Sequence, residues 1–119
     1  FKTGKTGNEI LQQSLTEAQN IGLKPTIYTH PIGYHGHAAG PTIGMWDQQE
    51  GVPIAGDYPL YPYTAYSIEL NNASFIKEWN KEIRIMLEED AYFDGDAVRY
   101  IDGRQTELMT IPRILTPNH

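Results

Sequence analysis

Two stretches of this chain alternate apolar and polar residues, and that alternation most constrains what it can fold into. From Tyr63 to Leu70, Thr64, Tyr66, Ile68 and Leu70 fall on one side, and Tyr63, Ala65, Ser67 and Glu69 on the other. From Glu82 to Phe93, Ile83, Ile85, Leu87, Glu89, Ala91 and Phe93 point one way, and Arg84, Met86, Glu88, Asp90 and Tyr92 the other. A period of two predicts strands that bury one face. The polar segment Asn71–Asn80 between them reads as a turn.

Thr26–Thr29, rich in β-branched and aromatic residues, predicts an earlier strand, and Ile43–Trp46 a short one. The turn dipeptides Asp94-Gly95 and Asp102-Gly103 bracket Val98–Ile101 as a strand and return Glu107–Ile111 as another. Ahead of these strands, Thr6-Gly7-Asn8-Glu9 is a capping box. Ile10, Leu11, Leu15 and Ala18 follow at helical spacing, and Asn20 and Gly22 supply a stop. The pattern is α+β, with an amphipathic helix on one face of an antiparallel sheet.

The 119 residues are one domain's worth of chain. A net charge of -6 argues against nucleic acid or an anionic membrane as partner. No apolar run is long enough for a transmembrane helix. We expect a soluble protein, the cytoplasm slightly favoured and the compartment otherwise undetermined. Cysteine is absent, which excludes disulfides and thiolate metal sites. The glycine and strand that a phosphate-binding loop needs ahead of Gly4-Lys5-Thr6 would lie before residue 1, so that motif carries little weight, and Asn72-Ala73-Ser74 is a chance-level glycosylation triplet.

Chemistry concentrates in His30–Asp47, where His30, His35 and His37 lie among Gly33, Gly36, Gly40 and Gly44. Such a loop lets backbone approach a ligand closely. Glu69 shares its side with small residues, which leaves room beside it. Glu89 is a carboxylate in an apolar row, and burying it without a partner costs several kcal/mol at least, roughly, unless a cation or an arginine answers it. Glu88 falls on the charged side and reads as solvated; a bulge between the two would exchange their roles. One histidine with two strand-borne glutamates is a ligand set for hard-to-borderline metals. The proline- and glycine-rich stretch Gln48–Pro62 reads as a surface loop. Its Tyr58 and Tyr61, with Trp46 before it, are candidates to line a binding pocket.

At these residues the chain resembles the pita-bread metallopeptidases: methionine aminopeptidase, aminopeptidase P and prolidase, with creatinase as a metal-free relative. Gly36-His37-Ala38-Ala39-Gly40 is similar to their Gly-His-x-x-Gly, and Tyr66-Ser67-Ile68-Glu69 to their Phe-Thr-Ile-Glu. Glu89-Asp90 resembles their Glu-Asp strand ending, and Asp102-Gly103 to Pro112 their closing hairpin. The likeness runs from about Thr6 to Pro112, and the order of the pieces carries it.

The resemblance implies a metal-dependent exopeptidase acting on peptides before proline, with two divalent ions (Mn, Zn, Co or Fe). His37, Glu69 and Glu89 would be ligands, and Glu69 also the general base. Two aspartate ligands come from strands upstream of the helix. Asp47 and Asp57 flank a loop and do not replace them. We therefore expect residues 1–119 to be the C-terminal half of a pita-bread domain, a curved antiparallel sheet with the helix on its outer face and 113–119 as a tail. The N-terminal half would be its partner, and an exposed seam would favour a homo-oligomer. Alone, the chain is expected to bind metal weakly and to be inactive.

Relatives place a second histidine seven residues after the ligand, in contact with substrate. Counted from His37 that position is Gly44, or Trp46 with a two-residue insertion. The role is open to His30 or His35 as substrate-side donors, and His35 also competes for the ligand position. The arginine of the relatives' Val-Arg-Ile-Glu-Asp is not two residues before Glu89; Arg84 is the nearest. Two rivals remain: a catalytically dead binding module on the same fold, and a creatinase-like C–N hydrolase without metal.

Overall fold

Thr6 opens the single long helix of the described residues as the capping box requires. Its Oγ1 accepts from the Glu9 N–H at 3.1 Å, and a Glu9 carboxylate oxygen accepts from the Thr6 N–H at 2.8 Å. Such caps are worth about 1 kcal/mol. The computed structural model describes residues 1–111. Helix α1 is Gly7–Asn20, and the strands are β1 Pro25–Gly33, β2 Gly36–His37, β3 Thr64–Ile76, β4 Lys81–Phe93 and β5 Val98–Tyr100. They form one antiparallel sheet in the order β2-β1-β3-β4-β5. The predicted α+β class is the observed one.

Directly paired residues of an antiparallel sheet put their side chains on the same face. The β3–β4 register runs from Thr64↔Phe93 to Ile76↔Lys81 with every residue paired, so no bulge interrupts it. One face therefore carries Ile27 of β1, Tyr66, Ile68 and Leu70 of β3, and Ala91 and Phe93 of β4. Helix α1 packs here: Ile10, Leu11 and Leu15 join Ile27, Ile43, Leu60, Tyr66 and Phe93 in one core. The Phe1 ring meets Tyr66 edge-on at 4.9 Å. The other face carries Tyr28, His30, Ser67, Glu69, Asn71, Arg84, Met86, Glu88 and Asp90, and no helix covers it among the described residues.

The loop between β2 and β3 closes the free edge of β1. Thr29 and Ile43 exchange backbone hydrogen bonds of 3.0 and 2.7 Å. The Gln49 side-chain amide pairs with both the N–H and the C=O of Ile27, as a neighbouring strand would. Gly44 makes this approach possible. Its φ is +72°, and a Cβ there would stand 2.2 Å from the Ile27 carbonyl oxygen.

Four expectations change. Asn71–Asn80 is not all turn: β3 continues to Ile76, and the reversal is a tight helical turn, Lys77–Trp79, closed by Asn80 in the left-handed region at φ 47°. Polar residues there belong to a strand because β4 pairs with them along their whole length. Ile43–Trp46 is a single bridge to Thr29 rather than a strand. Thr26–Thr29 extends to Gly33, which places His30 inside a strand. Glu107–Ile111 forms no strand. The tail 113–119, including His119, lies outside the described residues.

The outer half of the β3–β4 hairpin leaves Phe75, Ile85, Met86 and Leu87 exposed. The molecule measures 64 × 36 × 23 Å, with a radius of gyration of 17.5 Å. A compact chain of this length has about 13–14 Å. No helix of the described residues is long and apolar enough to cross a membrane.

Candidate histidine–carboxylate site

The open face presents two cross-strand rows. Tyr28, Glu69 and Glu88 lie opposite one another on β1, β3 and β4, and His30, Ser67 and Asp90 form the next row. Diagonal bonds tie the rows together. His30 Nε2 stands 2.8 Å from Glu69 Oε1, and the Ser67 hydroxyl donates to Glu88 Oε1 at 2.9 Å. The His30 side chain is 8 % exposed and that of Glu69 32 %, so the pair straddles the boundary between core and solvent.

His30 Nδ1 lies 3.1 Å from the Pro31 carbonyl oxygen. A carbonyl oxygen only accepts, so this contact puts the ring proton on Nδ1. The Nε2 lone pair then faces a carboxylate oxygen. At 2.8 Å the two are joined by a proton, carried by the ring or by the carboxyl. Histidine ligands typically have this form, with one ring nitrogen bonded to a backbone carbonyl and the other free to bind. Glu69 and Glu88, directly opposite, add a like-charge pair that is unfavourable unless a cation answers it.

His37 belongs to β2, opposite Ile32. Its ring stacks on His30 with centroids 3.9 Å apart and planes 16° off parallel. Its Nε2 lies 3.0 Å from the Tyr28 hydroxyl. His37 is exposed, so its ring is accessible from the open face.

The expected trio His37, Glu69 and Glu89 does not converge. Unbroken pairing puts Glu89 opposite Ile68, on the helix side of the sheet, whereas Glu69 is on the open side. Glu89 instead accepts a hydrogen bond from the Gln105 N–H at 2.9 Å. This corrects the Glu89 assignment: the carboxylate facing the same way as Glu69 is Glu88, and the bulge that would exchange them is absent. His30, not His37, is the histidine in contact with Glu69. His35 sits at the exposed tip of the β1–β2 turn, its ring against Tyr34, and does not join the cluster.

Trp46, 73 % exposed, helps line the groove that holds Tyr28, Glu69 and Glu88. Tyr58 and Tyr61 do not line that groove. Their loop docks at the helix start, where the Tyr58 carbonyl accepts from the Gly7 N–H. The crowding at Gly44 also excludes a histidine seven residues after His37.

The chemistry of His30, Glu69 and Glu88 fits a divalent ion of the hard-to-borderline kind. Their positions are two hydrogen-bonded pairs rather than a closed cage, and among the described residues no three such donors are gathered tightly enough to hold an ion. No family model, curated protein or solved structure matches the chain.

Proposed function

We propose that this chain carries the histidine–carboxylate face of a metal-dependent hydrolase site of the pita-bread exopeptidase kind, with His30, Glu69 and Glu88 as its ligands. The observation that carries the reading is the His30–Glu69 contact, with the other ring nitrogen committed to a carbonyl and Glu88 opposite Glu69. The spacing implied by the resemblance supports it: His37 stands seven residues after His30. Divalent ions bound there would supply an acidified water able to attack a peptide carbonyl. Glu69, beside His30, is also the proton acceptor. His37, steadied by the His30 ring and the Tyr28 hydroxyl, is the donor to the oxygen of the substrate carbonyl. The exposed Ile85 and Leu87, on the helix side of the outer hairpin, suit a surface on which the rest of such a domain packs.

A Mn²⁺ titration followed by electron paramagnetic resonance tests this reading. Glu69→Gln and Glu88→Gln should each weaken Mn²⁺ binding about tenfold or more, and Glu89→Gln should leave it unchanged. Equal binding by all three variants, or loss in Glu89→Gln alone, overturns it.

The direct hydrogen bond favours one second reading, in which His30 and Glu69 form an acid–base dyad that works without metal. Peptide hydrolysis that survives a chelator and falls with Glu69→Gln would select it.

A further inference from the structure

A groove of about 360 Å³ runs along the open face from Glu69 and Glu88 to Thr26 and Asn71, with Trp46 and Met86 among its walls. Arg84 lies just beyond the lining, in contact with Thr26 and Asn71 at that end. Its Nη1 donates to the Thr26 hydroxyl at 3.2 Å and to the Asn71 side-chain oxygen. Both acceptors are neutral, and among the described residues no carboxylate lies within ion-pair distance of Arg84. The guanidinium is thus anchored through one nitrogen, leaving Nε and Nη2 as a planar two-donor edge. That edge matches a carboxylate. On a chain of net charge -6, such a cation is a local exception that an anionic group can find.

The spacing limits what the groove can hold. Glu69 and Asn71 are two residues apart on one face of β3, a rise of about 6.8 Å. An extended peptide advances about 3.4 Å per residue. With its first carbonyl at Glu69, a tripeptide reaches the Asn71 level with its terminal carboxylate.

We infer that this groove selects short peptides with a free C-terminal carboxylate, paired to Arg84, and an apolar last side chain set against Trp46 and Met86. Where cleavage would fall along the peptide rests on the hydrolase reading; the preference for a free carboxylate does not. This preference is tested on the metal-free 119-residue chain by ¹H–¹⁵N NMR titration with Ala-Pro-Phe and with its C-terminal amide. The free acid should shift the Trp46 indole signal and bind about tenfold tighter than the amide. Arg84→Met should abolish that difference, and Arg84→Lys should retain part of it. Signal dispersion reports whether each variant is folded, and the comparison of acid with amide on the unaltered chain needs no variant. Equal affinity for both peptides, or no binding of either, overturns the inference. Broadening of the Ser67 and Glu69 amide signals by Mn²⁺ is read separately. If it is absent while the acid still binds selectively, the ion site fails and the groove stands.

Discussion

The two faces of the sheet are built from the same three strands, yet they differ in what their side chains touch. On the helix side, Tyr66, Ala91 and Phe93 are almost wholly removed from water and meet other apolar groups. On the open side, His30, Ser67, Glu69 and Glu88 meet one another through hydrogen bonds and leave a carboxylate pair across the strands. The first face contributes folding energy by area removed from water. The second spends some of it, because opposed like charges are unfavourable. A surface that keeps such an arrangement next to a well-packed core is where a ligand is expected to act.

The contrast predicts the largest loss on the packed side. Phe93→Ala, at a position 0 % exposed, should cost about 3–5 kcal/mol in urea unfolding. A loss below about 1 kcal/mol would mean that this face is not the core.

Tyr66 sharpens the comparison from within that core. Its hydroxyl is buried with no hydrogen-bond partner among the described residues, and burial pushes its pKa up to about 12. Tyr66→Phe should therefore stabilise the protein by about 1 kcal/mol. The pH dependence has a definite sign. The folded form holds the phenol proton more tightly than the unfolded form, so this contribution is intact below the ordinary tyrosine value of about 10. It declines as pH rises from there toward about 12. Alkaline melts should show the decline in the wild type and less of it in Tyr66→Phe.

The smallest effect belongs to the open face. Without metal, Glu88→Gln relieves the opposition to Glu69 and should raise stability by about 0.2–1 kcal/mol. The Ser67 hydroxyl can still donate to the amide oxygen. Added Mn²⁺ should reverse the order, stabilising the wild type more than the variant. A Glu88→Gln melt unchanged in both conditions would separate this carboxylate from any ion.

Much of this was legible in the residues. The capping box set the start of the helix, and the alternation in β3 and β4 marked Tyr66 and Phe93 for the core. The same alternation already put Glu69 with the polar row and Glu89 with the apolar one. The resemblance of Glu89-Asp90 to a Glu-Asp strand ending drew attention to Glu89, whereas the carboxylate on the Glu69 side of the sheet is Glu88. For the histidines, Gly36-His37 drew attention from His30-Pro31, which reads as a strand end. His30 and His37 are themselves seven apart, the one signal that could have found the pair. The extension of β3 through Asn71–Ile76 was not legible, because those polar residues are held in a strand by pairing with β4 rather than by their own propensity.

Taken alone, the order of residues determined which side chains within a strand share a side, since extended backbone turns successive side chains to opposite faces. It could not determine which side of one strand continues into which side of the next. That depended on the pairing of Glu69 with Glu88 and of Tyr28 with Glu69, which exists only once separate segments have met. The contact of a buried imidazole with a carboxylate 39 positions away is the product of that register.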